Sequence, residues 1–180
     1  MKKNVIVFGL IAGVIASVLM VISMARCNSD ANFEHSMLIG YASMVLAFSF
    51  IFVGIKNYRD KYNNGSITFG KAFKTGLYIS LIASTMYVLT WLVDYYVFIP
   101  DFMDKYVAHM LKEAKDSGAS AAELAKQAKE LAYNQKLYKN PIMVILFTYM
   151  EILPVGILVS LIAALILKRK PQQTFTAQAI

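Results

Sequence analysis

The sequence has little of what catalysis or metal binding in a soluble protein requires. It holds a single cysteine, Cys27, which excludes an internal disulfide framework. Its two histidines, His35 and His109, lie far apart, and together with one cysteine they give no metal-ligand spacing. Glycine-rich nucleotide motifs are lacking, and no nucleophile lies in a recognisable catalytic context. These absences favour a non-enzymatic protein with no catalytic residues, no metal and no cofactor.

Charged residues are nearly absent from four long apolar runs. Hydrophobic residues make up 58% of the 180-residue chain. The runs cover residues 5–25, 36–55, 75–100 and 141–167, and each reaches the roughly 20 residues that a helix needs to cross a bilayer. The first two carry no charge, the third carries only Asp94 and the fourth only Glu151. The sequence therefore predicts an all-α integral membrane four-helix bundle, with residues 1–180 forming one polytopic domain.

The first run also has features of a secretory signal. Lys2 and Lys3 precede it, and small residues end it at Ala25. Its length, however, exceeds the roughly 7–15 residues of a typical signal core. An uncleaved transmembrane span is therefore favoured.

The net charge of +7 is unevenly distributed between the runs. Lys2 and Lys3 precede the first run, and residues 168–170 form a basic triplet after the fourth. The short connection between the first two runs is nearly neutral. By the positive-inside rule, both termini and the second loop lie in the cytoplasm, as in a multi-pass protein of a bacterial inner membrane. The segment 101–140 then lies outside.

The second loop has two possible roles. Its five cations could contact anionic lipid headgroups, at about 1 kcal/mol each, or could act only as the topology signal. Nucleic acid is not expected as a partner of charges so close to the spans. Thr68 is expected to cap the helix that enters the third run. The five cations are Lys56, Arg59, Lys61, Lys71 and Lys74.

The segment 101–140 has the pattern of a helical hairpin. Ser117 and Gly118 interrupt its first helical pattern, and Ser120 with Glu123 has the capping-box form that begins a second helix. These helices could pack on each other, on the membrane surface or on a partner. The face of the first helix is marked by Phe102, Tyr106, Met110 and Ala114.

Glu151 is the residue that most suggests a function. At 1.5 Å per residue it lies roughly 14 Å along the fourth span from Pro141. A charge near the middle of the bilayer costs about 2.5–3.5 kcal/mol, so Glu151 should face the bundle interior, a partner or a water-filled cavity. Pro154 leaves the Met150 carbonyl without its helical donor and predicts a kink.

Three roles remain open for Glu151. As a neutral acid it could fix helix packing by hydrogen-bonding the third span, where Ser84, Tyr87 and Thr90 reach a similar depth. It could instead be the intramembrane proton or cation site of a small transporter or channel-like oligomer. It could also be a docking site for another membrane protein.

Two further features of the spans allow predictions. Gly9, Gly13 and Ser17 form a small-residue stripe that would pack either on another span of the bundle or in a homodimer. Asp94 lies beside interfacial aromatic residues such as Trp91 and is expected to be hydrated.

Several segments resemble a known family. They are residues 37–41, 48–61, 67–74, 118–121 and 153–156. Together they are similar to the small bacterial membrane proteins grouped as Domain of Unknown Function 4199, and the similarity covers nearly the whole chain. The resemblance implies a four-helix inner-membrane protein, and it implies no activity, substrate or site residue.

The favoured function is that of a structural or interaction protein of the cell envelope. Its expected partners are the lipid bilayer and either a second copy or another membrane protein. The alternative is the transporter or channel-like oligomer that uses Glu151. No small-molecule substrate is indicated by the sequence.

Overall fold

The computed structural model describes residues 1–30 and 33–170, without the side chains of 27–30 and 33–37. The side chains of Cys27 and His35 therefore lie outside the described part. Helices account for nearly all of the described chain. They are α1 (Lys2–Asp30), α2 (Phe33–Tyr62), α3 (Phe69–Val93), α4 (Phe102–Asp116), α5 (Ala121–Leu137) and α6 (Pro141–Leu167), with a π-helical segment, Asp94–Phe98, continuing α3.

Four of these helices are long and apolar enough to cross a membrane, which confirms the predicted fold class. The candidate spans are Lys2–Arg26, Leu38–Tyr62, Phe69–Phe98 and Pro141–Leu167. The second span extends beyond the predicted residue 55 because the helix continues through the charged segment to Tyr62. The third begins before residue 75 because Thr68 starts the helix early.

The spans form a bundle in which α3 contacts each of the other three. Helix α2 also contacts α1 and α6, whereas α1 and α6 do not pack closely against each other. Along α1, Gly9 lies against Ile82 and Gly13 against Met86, so α1 and α3 run parallel. Gly76 faces Ser160, one of the close contacts between the antiparallel helices α3 and α6.

Two predicted helix starts are confirmed, and a third cap was not predicted. At α3 the Thr68 side chain accepts a hydrogen bond from the Lys71 N–H. Asn140, the cap that was not predicted, begins α6 with Pro141 in the first turn. Ser120 and Glu123 form the reciprocal capping box at the start of α5. Helix α6 is continuous through Pro154, and the kink predicted there stays a prediction.

The connection between α2 and α3 is tied to the end of α6. A turn at Asn64 and Gly65, both at positive φ, reverses the chain. Ile67 then pairs with Arg169 through two backbone hydrogen bonds of 2.9 and 2.8 Å. We call this side of the bundle the basic end.

The opposite side carries helices α4 and α5, which we call the α4–α5 pair. Gly118, at φ 82°, forms the turn between them. The two helices contact each other, and the Gln135 amide donates to the Asp104 carboxylate. Their predicted location outside the cell stays a prediction.

Candidate functional site

A cavity of about 410 Å³ opens beside Glu151, between the spans and the α4–α5 pair. We call it the Glu151 cavity. All six helices contribute to its lining. Seven of its lining residues are aromatic: Tyr41, Tyr87, Trp91, Phe102, Tyr106, Tyr138 and Phe147. The others are Met20, Met103, Asn134, Thr148 and Glu151.

Ring contacts join the two parts of this lining. Trp91 on α3 meets Phe102 on α4 edge-to-face, with ring centres 5.1 Å apart. Tyr138, at the end of α5, stacks on Phe147 of α6 at 5.6 Å. Aromatic pairs of this geometry contribute about 0.5–1.5 kcal/mol beyond their burial. They hold the α4–α5 pair over the ends of α3 and α6.

Glu151 is the acidic residue of this lining. The side chain is exposed, and it makes no hydrogen bond or ion pair with any residue that the structure describes. The hydroxyl of neighbouring Thr148 donates to the Val144 carbonyl at 2.7 Å. Lysine, arginine and histidine are missing from the described lining. The carboxylate is therefore available to a ligand.

The hydroxyl of Tyr138, which also lines the cavity, has a raised pKa. Burial, together with the negative charge of Glu151, raises the pKa of its hydroxyl to about 12. The phenol therefore stays protonated at neutral pH and can donate a hydrogen bond into the cavity.

The three residues predicted to face Glu151 separate into different environments. Tyr87 lines the Glu151 cavity. Ser84 is fully buried, and its hydroxyl has no partner among the described residues. Thr90 turns away, with its Oγ1 3.1 Å from Ser17 Oγ on α1 and 2.9 Å from the Met86 carbonyl oxygen. Tyr87 is thus the one of the three that shares the cavity with Glu151.

The other predicted residues of the spans lie elsewhere. Gly9 and Gly13 allow α1 to approach α3, where an added Cβ would lie 2.8 Å from Ile82 Cβ and 2.6 Å from Met86 Sδ, respectively. Together with the Ser17 contact, this places the small-residue stripe against α3 within the bundle. Pro154 is exposed on α6 and lies outside the cavity lining.

The predicted lipid-contacting cations gather at the basic end, remote from Glu151. Arg59 is half-buried, pairs with Asp60 at 2.7 Å and donates to the Leu167 carbonyl at 3.3 Å. Lys71 donates to Asn63 Oδ1 at 2.7 Å and lies 5.4 Å from the centre of the Tyr58 ring. The four lysines Lys56, Lys61, Lys71 and Lys74 are exposed.

The environment of Asp94 differs from the one predicted. The expected hydrated carboxylate is 7% exposed, and its Oδ2 has no partner among the described residues. Asp94 also begins the π-helical segment, and its carbonyl accepts the Ile99 N–H at 2.9 Å. The spacing Tyr87, Trp91, Asp94 follows one helix face and could have indicated burial.

Sequence reasoning missed most of the cavity lining. Tyr41 and Asn134 belong to segments more than 90 residues apart in the sequence, and no local pattern relates them. The repeat of Phe102 and Tyr106 correctly marked one face of α4, but not that this face meets Trp91. Among the described residues, no group of three or more His, Cys, Asp and Glu could hold a metal ion.

Comparison with known proteins identifies a family but not an activity. The family model described as a protein of unknown function (DUF4199) matches residues 7–169, which confirms the resemblance found in the sequence. No curated protein and no solved structure matches the chain.

Proposed function

Since this chain belongs to the DUF4199 family, whose function is unknown, we propose a function from the geometry of the site. The protein is a non-enzymatic membrane protein that acts by binding, with the Glu151 cavity as its ligand site. The observation that carries this proposal is the convergence of all six helices on one cavity. A ligand in that cavity contacts the spans and the α4–α5 pair together, so its binding can bias their relative position.

The lining favours binding over catalysis. General acid–base catalysis at neutral pH needs groups poised to exchange protons with a substrate, most often a histidine or a tuned pair of acids. The described lining offers one carboxylate, and its phenols include Tyr138, which stays protonated. Such a set supports recognition of a ligand and provides no nucleophile activated by a neighbouring base.

We place the protein in a bacterial inner membrane with the basic end in the cytoplasm. The exposed lysines there would contact anionic headgroups. Exposed apolar side chains along the spans, such as Leu89 at 58% and Ile166 at 65%, support contact with lipid, a second copy or another membrane protein. The α4–α5 pair and the mouth of the Glu151 cavity then face the outside.

Trp91 provides the test of this proposal, because it is the only tryptophan in the chain and lines the cavity. In lipid nanodiscs, acrylamide in the water should quench its fluorescence. Asn134→Phe, which fills the cavity from α5, should reduce that quenching by roughly half or more. Ala132→Phe, on the same helix and outside the lining, is the matched control.

The proposal fails if acrylamide quenches wild type, Asn134→Phe and Ala132→Phe equally. It also fails if only brominated lipids quench Trp91, since the cavity would then be filled by the bilayer.

Transport is a second candidate function, favoured by two buried hydroxyls on α3. Ser84 and Ser80 are fully buried and have no partner among the described residues. Thr85 lies 2.8 Å from the Tyr149 hydroxyl, so Ser84 is close to the level of Glu151, and Ser80 lies one turn nearer the basic end. Such groups could bond water along a path for protons or small cations.

Flux into proteoliposomes tests this candidate. A pH-sensitive dye inside the vesicles should report proton flux that Glu151→Gln abolishes while the protein keeps its helical circular dichroism. Equal flux in wild type and Glu151→Gln, or no flux above empty vesicles, would exclude Glu151 as a transport site.

A further inference from the structure

We propose that the ligand of the Glu151 cavity is a small organic cation, whose ammonium group is enclosed by aromatic rings and neutralised by the Glu151 carboxylate. This inference rests on the proposed binding function and adds the chemical class of the ligand. Three properties of the lining support it: its charge, its ring content and its supply of oxygen ligands.

The charge of the lining selects a cation. Glu151 is the only carboxylate among the described lining residues, and no basic side chain accompanies it. Electrostatic attraction is stronger near low-dielectric walls than in water, so an unpaired carboxylate here gains more from a positive ligand than it would on a soluble surface. An anionic ligand would be repelled by Glu151 and would find no cationic side chain in the described lining.

The rings select an organic cation. The face of an aromatic ring carries negative electrostatic potential, and cages of several rings are used to bind quaternary ammonium groups. Trp91, the ring type that binds cations best, lies in the lining together with Tyr87, Tyr106 and Tyr138. The volume of about 410 Å³ falls in the range of small-molecule sites.

The shortage of oxygen ligands disfavours a bare metal ion. Calcium takes six to eight oxygen ligands and magnesium near-ideal octahedral coordination. Besides Glu151, the non-phenolic oxygens of the lining side chains belong only to Asn134 and Thr148, too few for either coordination shell. An ammonium group with organic substituents needs no such shell, because the rings and one carboxylate satisfy it.

Ligand entry is available from the side of the α4–α5 pair. Asn134 lies on α5, outside the candidate spans, and lines the same cavity as Glu151. A water-soluble cation that enters beside Asn134 would reach Glu151 through the cavity. Because Trp91 lines the same cavity, its fluorescence should change when a ligand binds there.

The test is a fluorescence titration of Trp91 in nanodiscs made of zwitterionic lipid other than phosphatidylcholine. The probes are tetramethylammonium, choline and the uncharged isostere of choline in which carbon replaces nitrogen. The ammonium ions should bind roughly tenfold or more tightly than the isostere. Glu151→Gln should reduce this preference to within about twofold, whereas the neighbouring change Met150→Leu should leave it intact.

The possible outcomes separate this inference from the binding function. Equal binding of choline and its isostere to wild type would overturn the cation proposal and leave a cavity that binds neutral ligands. No response to any ammonium ion, while Asn134→Phe still shields Trp91 from acrylamide, would overturn it too. The wild-type comparison of choline with its isostere remains decisive even if Glu151→Gln does not fold.

Discussion

Gly156 sets how closely two spans can approach. It lies on α6 opposite Ser80 of α3, and an added Cβ would clash with the Ser80 hydroxyl and lie 3.0 Å from Phe48 Cζ. In a bilayer the lipid is as apolar as the helices, so association depends on such close packing rather than on burial from water. A single methyl group at this position is therefore expected to matter.

We predict that Gly156→Ala lowers the free energy of unfolding by about 1–3 kcal/mol, the usual cost of overpacking. This loss exceeds the ~1 kcal/mol that alanine gains over glycine inside a helix. Unfolding in micelles of increasing SDS content, followed by circular dichroism, would measure it. Gly40→Ala is the control, because nothing lies within 4 Å of its added Cβ. A Gly156→Ala protein as stable as Gly40→Ala would contradict this packing.

The two carboxylates within the spans show what residue-level reasoning can reach. The rise per residue of a helix predicted how deep Glu151 lies in the bilayer. The free-energy cost of a charge at that depth predicted that a cavity or a binding partner would surround it. Which side chains surround it depends on how six helices pack, which no local pattern contains. The aromatic neighbours of Asp94 suggested that its side chain is hydrated. Its position on the helix instead directs it toward the bundle, where it is 7% exposed.

Helix ends are where single elements were predicted best. Thr68 and Ser120 each accept a hydrogen bond from an N–H that the helix itself leaves unbonded, so a cap can be recognised in a short stretch of sequence. The π-helical segment after α3 has no such local signal. The position of the α4–α5 pair also depends on long-range ring contacts such as Trp91 with Phe102.

The capping box of α5 predicts a pH-dependent helix start. The Ser120 N–H and hydroxyl donate to the Glu123 carboxylate at 2.8 and 2.7 Å, and these bonds hold the pKa of Glu123 below its usual range. A lowered pKa means that this stabilisation is complete above the ordinary value near ~4.3 and is lost as the pH falls through the lowered pKa.

The Ser120 amide resonance in ¹H–¹⁵N spectra should follow this titration, with a midpoint below the ordinary value. Ser120→Ala should raise the midpoint, because it removes the hydroxyl donor, whereas Ser120→Thr should preserve it. A midpoint unchanged by Ser120→Ala would show that the hydroxyl does not bind the carboxylate.

For the whole molecule, composition and charge predict the number of spans and their orientation. Four apolar runs fix the number of spans, because backbone groups in lipid must be bonded within a helix. The order of packing, with α3 in contact with all three other spans, depends instead on small residues such as Gly13 and Gly76, each matched to a larger or polar neighbour. Shape complementarity of that kind is invisible in a hydropathy pattern.

The positive-inside rule predicts the orientation of this bundle. Fusions that end at Gly65 and at Gly118 place a reporter in the turn between α2 and α3 and in the turn between α4 and α5, on opposite sides of the bundle. Green fluorescent protein should fluoresce at Gly65 and not at Gly118, and alkaline phosphatase should be active only at Gly118. The reversed pattern would place the basic end and both termini outside.

We expect Glu151 to face a water-accessible cavity within the membrane domain. The most direct test is the reaction of Glu151→Cys with a charged, membrane-impermeant methanethiosulfonate reagent, in protein with Cys27→Ser as its only other change. The control is Met150→Cys, because Met150 is the adjacent residue, is 70% exposed and lies outside the cavity lining. A thiol in hydrocarbon does not form the reactive thiolate. We predict rapid modification of Glu151→Cys and none of Met150→Cys. Equally slow reaction of both would show that water does not reach Glu151.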